Sequence, residues 1–342
     1  MGQQSSFLIN YWHVAALSGE VTRTALARTI NNEKIVLFRD SKGGPIALED
    51  RCAHRQAPLS LGEIIGDGIQ CGYHGLAFDR TGICIKIPSQ KLIPNGTKVR
   101  SYPVIEKQGF VFLWTGNRQP RENEMPFDFP FIETQDFKGK YAVRKGDFDY
   151  RLLMDNLMDL THLSFTHKNT IGAEGVAISG KSKIKRDGDQ VEVSRVMEGI
   201  TPAPTHVEVT GYSGNVDRWQ VIKFTPPCFI ELHVGNAKAG AGGITAAPND
   251  KLIDRRTLHV ATPETKTSTH YFWVSAYPAD SMTPDQENLI YNRTLEVLNE
   301  DIKMIEGQQQ RYNPDYRMID IGEDAGQLSM RSVLEKLGKR EV

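Results

Sequence analysis

Cysteine and histidine recur as a pair at two places, Cys52-Ala53-His54 and Cys71-Gly72-Tyr73-His74, with sixteen residues between the pairs. Four such donors can grip one inorganic centre only if two loops meet face to face, which demands a scaffold of short strands and tight turns. Turn residues flank both pairs: Arg55 and Ala57-Pro58 follow the first, and Gly72 and Gly75 surround the second. Loops of this kind can aim backbone N–H groups at anionic sulfur.

Two thiolates on one iron and two imidazoles on the other form the ligand set of a Rieske [2Fe–2S] centre. A Cys2His2 structural zinc site needs the same four side chains, although zinc spacing usually pairs cysteine with cysteine and histidine with histidine. Here each loop offers one of each, which favours the iron–sulfur reading with Cys52, His54, Cys71 and His74 as ligands. Of the four cysteines, the remaining two, Cys84 and Cys228, lie far apart. No disulfide framework is expected, and a reducing cytoplasm fits.

At 342 residues the chain has room for two domains, each with its own core. Lys plus Arg (41) nearly cancel Asp plus Glu (42), so no global field points to nucleic acid or an anionic membrane. No apolar run is long enough to span a bilayer, and the N-terminus lacks a secretory pattern. Met1-Gly2-Gln3-Gln4-Ser5-Ser6 matches the formal myristoylation pattern, a short motif that often matches by chance.

The expected fold class is α+β, with domains at 1–118 and 119–342. In the first, strand-like runs (34–38, 45–48, 110–114) separated by Gly, Pro and Asn turns predict an all-β domain around the cluster. The polar stretch 116–126 reads as a linker. A helical segment over 150–167 follows, then strands near 183–185, 191–194, 218–224, 229–234, 255–262 and 269–276, whose succession predicts an antiparallel sheet. After Thr283-Pro284-Asp285, Leu289, Leu295, Leu298, Ile302 and Ile305 mark a helical apolar stripe.

A second constellation falls on the first helical segment, Asp155-Asn156-Leu157-Met158-Asp159-Leu160-Thr161-His162-Leu163-Ser164-Phe165-Thr166-His167. His162 and His167, five apart, would lie about 140° from each other on a regular helix, so one metal can take both only if the helix ends or bulges there. Asp159, a turn before His162, is placed to hydrogen-bond its ring. Two histidines plus a carboxylate make the facial triad of non-haem Fe(II) oxygenases. Asp301, on the apolar side of the late helix, is the candidate third ligand, because a buried carboxylate needs a cation or a metal.

These residues together resemble the Rieske non-haem iron oxygenases over nearly the whole chain. More narrowly they are similar to the oxygenase components of vanillate O-demethylase, dicamba O-demethylase and toluenesulfonate methyl-monooxygenase. The likeness rests on Asn10-x-Trp12, the two cluster loops, the segment from Asp155 to His162, Val216-Asp217-Arg218-Trp219-Gln220, Phe224-Thr225-Pro226-Pro227, Thr262-Pro263-Glu264-Thr265 and the helix from Asp301 to Gln310.

The resemblance implies a helix-grip-like catalytic domain and a homotrimer in which the cluster of one subunit feeds the mononuclear iron of its neighbour. Asp159 would bridge cluster ligand His74 and iron ligand His162 across the subunits, with Asn156 near the iron. Electrons would come from NADH through a separate reductase carrying flavin and ferredoxin, and dioxygen would attack an aromatic small molecule. The expected reaction is O-demethylation of a vanillate-like methoxylated acid, with aryl-methyl or ring hydroxylation or N-demethylation as the alternative. An electron carrier with an empty second site is the reading from a different class. His259 and Asn292 are the candidate substrate contacts: the first resembles a carboxylate-binding histidine of the dicamba branch, and the second stands where that branch has tryptophan.

Overall fold

The computed structural model describes residues 7–341 except 133, 174, 175, 177–179 and 314, so the myristoylation-like Met1–Ser6 lies outside the described residues. The chain forms two compact units: residues up to 128 with 262–266 and 341–342, and residues 129–261 with 267–340. The expected boundary at 118/119 differs from this division. Residues 119–128 stay with the first unit because Arg118 pairs with Glu124 (2.5 Å) and Trp12 Nε1 donates to the Glu124 carbonyl (2.6 Å).

The first unit is all-β. Strands β1 (Trp12–Leu17), β9 (Val104–Lys107) and β10 (Phe110–Trp114) make one sheet in the order β1-β10-β9. A second contains β2 (Leu26–Ile30), β3 (Glu33–Arg39) and β4 (Pro45–Glu49), and a third contains β5 (Glu63–Ile65), β6 (Gly68–Gln70), β7 (Ala77–Phe78) and β8 (Cys84–Lys86). Val36, Phe38, Leu48, Leu59, Ile69 and Phe78 are buried together with Cys52, Cys71 and Cys84, so both candidate ligand thiols are part of the apolar core.

The second unit is built on a seven-stranded sheet in the order β11-β17-β16-β15-β14-β13-β12. Its strands are β11 (Phe137–Gly146), β12 (Lys183–Asp187), β13 (Gln190–Ile200), β14 (Val216–Thr225), β15 (Phe229–Lys238), β16 (Lys251–Thr265) and β17 (Ser268–Pro278). The ladders from β12 through β16, and that between β11 and β17, are antiparallel. Helices α1 (Tyr150–Met158), α2 (Leu163–Thr166), α3 (Pro204–Thr210), α4 (Pro284–Gln309) and α5 (Ala325–Glu341) complete it. Among the described residues no helix is long and apolar enough to cross a membrane.

Two expectations need correction. The helical segment over 150–167 is not continuous: α1, opened by the Asp149 cap on Arg151 N (2.9 Å), stops at Met158, where Asp159 turns extended (φ −91°, ψ 130°). The apolar stripe of the late helix is also rotated. Its buried positions are Ile290, Thr294, Val297, Leu298, Asp301 and Ile305, whereas Leu289, Leu295 and Ile302 are only half-buried. The start of α4 follows the sequence signal, since Thr283 and Gln286 form a reciprocal capping box ahead of Pro284.

Candidate metal centres and the pocket

The cluster loops are built as a matched pair. In the first, Cys52 N donates to the Ala57 carbonyl (2.8 Å) and Gln56 N donates to the Cys52 carbonyl (3.0 Å). The second repeats the pattern with Cys71 N on Leu76 (2.8 Å) and Gly75 N on Cys71 (3.0 Å). Each turn closes through a left-handed residue, Gln56 (φ 60°) in one and Gly75 (φ 75°) in the other. A side chain at Gly75 would also meet Pro88 Cγ at 2.8 Å.

The matched turns bring Cys52 beside Cys71 and His54 beside His74. Cys52 and Cys71 are buried, each 2% exposed, whereas His54 and His74 are exposed with ring centroids 4.6 Å apart. Burial pushes the Cys52 thiol up, while the backbone N–H groups of His54 and Arg55 pull the other way; the neighbouring Cys71 thiol adds to the rise. Two adjacent thiols inside an apolar core with N–H groups aimed at sulfur suit a bound cluster, whose iron would hold both sulfurs as thiolates. The residues present therefore fit a [2Fe–2S] group.

The second centre arises where α1 breaks. Asp159 Oδ1 accepts from both Thr161 N and Thr161 Oγ1 at 2.7 Å, a local turn that redirects the chain. His162 then caps the start of α2, and His167 caps its end. Gly172 lets the following loop fold back, because a side chain there would lie 2.4 Å from the Leu163 carbonyl and 2.8 Å from that of His167. The expected distortion therefore falls on both sides of a single helical turn, which swings the two rings together with centroids 5.1 Å apart.

Asp301 arrives from the buried face of α4, and donor atoms of His162, His167 and Asp301 all lie within 4.8 Å of one another. Asp301 Oδ1 stands 3.0 Å from His167 Nε2 and 3.6 Å from His162 Nε2, and it accepts from Asn156 Nδ2 at 3.1 Å. Asp301 is 4% exposed and His167 1%, so their charges are screened little. Burial pulls His167 down, but hydrogen bonds and charge from Asp301 and Glu300 outweigh it and leave the ring raised. Two imidazoles and a buried carboxylate sharing one point fit a divalent iron with open positions.

Asp159 is close to His162 but not bonded to it: Oδ2 lies 3.5 Å from Nδ1, which has no hydrogen-bond partner among the described residues. Burial raises Asp159, and the His162 ring with the two Thr161 donors more than offsets this, so its carboxyl titrates below the usual range. Glu300 went unassigned by sequence reasoning. Its Oε2 meets His167 Nδ1 at 2.7 Å and accepts from Thr170 Oγ1 at 2.9 Å, orienting the ring from behind. The available signal was its place beside Asp301, but adjacent helix residues point about 100° apart and spacing alone does not pair it with a ligand.

His162, His167 and Asp301 also line a pocket whose walls come from the sheet, α1, α2 and α4. His259, one of the expected contacts, lines it: it is 5% exposed, with Nδ1 2.5 Å from the Tyr271 hydroxyl. Burial, then the charge of Arg255, brings its pKa down to about 3, so the ring is neutral. Asn292, the other expected contact, is corrected by the structure. It is exposed on α4 and does not line the pocket, because the helix turns Thr294, Val297, Leu298 and Asp301 inward instead.

A cluster domain and a largely buried two-histidine, one-carboxylate site lining a pocket define an oxygenase that is supplied with single electrons. Residues 11–103 match the Rieske [2Fe-2S] domain, and residues 147–340 match the vanillate O-demethylase oxygenase C-terminal domain. A toluene-4-sulfonate monooxygenase system iron-sulfur subunit of Comamonas testosteroni is 33% identical, covering 98% of each chain. A vanillate O-demethylase oxygenase subunit of a Pseudomonas species is 35% identical over 91% of this chain and 96% of its own. The crystal structure of dicamba monooxygenase bound to 3,6-dichlorosalicylic acid superposes with a TM-score of 0.90 at 28% identity, covering 98% of both chains.

The chain belongs to the vanillate O-demethylase oxygenase family of Rieske non-haem iron proteins. It is the terminal oxygenase component of a Rieske monooxygenase system, and its cofactors are a [2Fe–2S] cluster and a mononuclear Fe(II).

Proposed function

We propose that this oxygenase removes the methyl group of a methoxylated, vanillate-like aromatic acid by oxidative O-demethylation, giving the phenol and formaldehyde. The convergence of His162, His167 and Asp301 on one point of the pocket, in a chain that also carries the paired cysteine–histidine loops, supports this reading. Cys52, His54, Cys71 and His74 hold the cluster, and His162, His167 and Asp301 hold the mononuclear iron. When bound, the two groups supply single electrons and dioxygen activation.

The chain's own residues prepare the site for that chemistry. Asn156 donates to Asp301 Oδ1 and restricts how that carboxylate turns. Glu300 fixes the orientation of His167 through Nδ1, leaving Nε2 for the metal. Ile222, Leu232, Val234 and Leu298 wall the pocket and exclude water from the reacting methyl group.

The working assembly is a cytoplasmic homotrimer served by a separate NADH-dependent reductase with flavin and ferredoxin centres, with no nucleic-acid or membrane partner. Within it Asp159 carries the electron path between His74 of one subunit and His162 of the next. Asp159→Asn should then keep both metals yet slow single-turnover electron transfer by roughly a hundredfold or more; an unchanged rate removes the role.

The deciding assay follows products from methoxylated aromatic acids under reductase and NADH. Formaldehyde released in step with substrate loss upholds O-demethylation. The toluene-4-sulfonate relative favours aryl-methyl hydroxylation as the second reading, which gives the benzylic alcohol without formaldehyde.

A further inference from the structure

Of the three arginines that line the pocket, two have no carboxylate to match them. The inward face of the sheet alternates along each strand: Arg218, Gln220 and Ile222 on β14, and Ile253, Arg255, Thr257 and His259 on β16. Across the ladders Arg218 pairs with Asn236, which pairs with Ile253, and the next rung runs Gln220, Val234, Arg255. Arg218 and Arg255 therefore stand one rung and two strands apart on a single face. Arg218 feels the charge of Arg255, and both arginines act on His206, whose ring burial first and then their charge hold well below its ordinary value.

Neither guanidinium has an acidic partner among the described residues. Arg218, 4% exposed, donates to the Ile171 carbonyl (2.9 Å), and Arg255 donates to Thr294 Oγ1 (2.9 Å). Arg293, the third arginine of the lining, is neutralised by Glu208 and Glu296 at 2.8 Å. Asp159 and Asp301 are the carboxylates of the lining, and both belong to the metal end. A divalent metal cancels those two charges, so the pocket as a whole carries two positive charges in a water-poor setting. An isolated buried charge is costly, and a pair of like sign more so.

Donors without partners gather at the same place. Arg255 Nε, Thr257 Oγ1 and Trp273 Nε1 are buried, line the pocket and have no hydrogen-bond partner among the described residues. Burial brings both arginines down to about 10, with like charge from Arg255 adding to the effect on Arg218, so both remain cations at neutral pH.

We propose that Arg218 and Arg255 are the anion-recognition pair of this pocket, binding the carboxylate or sulfonate of an aromatic substrate, and that His259 contributes no charge to it. The proposal rests on the oxygenase reading above and deepens it: substrate is selected as a monoanion, held by the sheet with its methyl-bearing end toward the metal. His259 shares a hydrogen bond with the Tyr271 hydroxyl through Nδ1 (2.5 Å), and its neutral ring adds no charge to the pair.

The test is equilibrium binding to the metal-loaded protein, without reductase, of 4-methoxybenzoate, 4-methylbenzenesulfonate and the neutral 4-methoxybenzamide. The wild type should bind at least one anion about 100-fold more tightly than the amide. Arg218→Gln and Arg255→Gln should each erase most of that preference, while Arg255→Lys keeps part of it. Which anion binds better identifies the acid group, and loss of that preference in the Gln variants upholds the pair. An amide that binds as well as both anions, anions that fail to bind the wild type, or a preference intact in both Gln variants would overturn it. If one Gln variant does not fold, the other Gln variant and Arg255→Lys carry the test. Tight anion binding here, together with no formaldehyde from methoxylated acids in the assay with reductase and NADH, would reject O-demethylation and leave the pair standing.

Discussion

The two candidate metal centres solve the same problem by opposite routes. The cluster ligands span residues 52–74, and each loop is closed by its own backbone hydrogen bonds, so the geometry is set locally. The mononuclear site joins His162 and His167 to Asp301, from a helix far along the chain, so its geometry depends on how α4 packs against the α1–α2 break. The cluster site buries its thiols and exposes its imidazoles, whereas the iron site buries Asp301 and His167 and leaves His162 half-buried. A local site tolerates exposure because its turns hold it. A site assembled over long range needs surrounding packing to fix each ligand.

Crosswise substitutions give the largest effects. Asp301→Ala should remove the mononuclear iron and lower turnover at least about a thousandfold, while acid-labile sulfide and the reduced-cluster paramagnetic resonance signal stay at wild-type level. Cys71→Ser should remove sulfide and that signal while the second iron is retained. Loss of both metals in either variant would mean that the centres are not independently built.

Glu300→Gln tests how far the long-range site relies on support from behind its ligands. Iron affinity should fall about 10- to 100-fold, measured by competition with a chelator, with cluster content unchanged.

Acid tests both units together. Burial brings His13 in the first unit down to about 4, opposed by its contact with the Tyr11 carbonyl, and His259 in the second down to about 3. Both folded values lie below the unfolded value near 6.5, so the unfolded chain binds more protons in between. Their contribution to stability is fully present above about pH 6.5 and is lost as pH falls toward 4 and then 3. Calorimetry should show the melting temperature falling through that window, and His13→Gln should flatten the fall between pH 6.5 and 4.

The smallest effect compares the paired loops with each other. Gly75→Ala places a side chain at φ 75° against Pro88 and should cost about 1–2 kcal/mol. Gln56→Gly at the equivalent position should be neutral or stabilising by a few tenths of a kcal/mol, read from denaturant midpoints.

Part of the fold was legible in short-range pattern. The antiparallel strand succession follows from turns and ladders that act over a few residues, and the same short range marks out the Cys52 to His74 spacing and the His162–His167 pair as candidate ligands. The register of α4 was not legible: Leu289, Leu295 and Ile302 are as apolar as the positions that are buried, so periodicity alone leaves the helix free to rotate by one residue. That rotation turns Thr294 inward and Asn292 outward, which removes one expected contact and gives Arg255 its partner. Arg218 follows Asp217, and Arg255 stands between Asp254 and Arg256, so polar side chains fall on both faces of these strands and alternation alone does not say which face is inside.

Residue chemistry by itself determined which donors this protein brings to its metals, since thiol, imidazole and carboxylate carry their coordination preferences in any fold. Only the tertiary structure decided which face of the sheet is inside, and therefore that two arginines line the pocket instead of meeting water, because burial is a property of packed elements and not of any one strand.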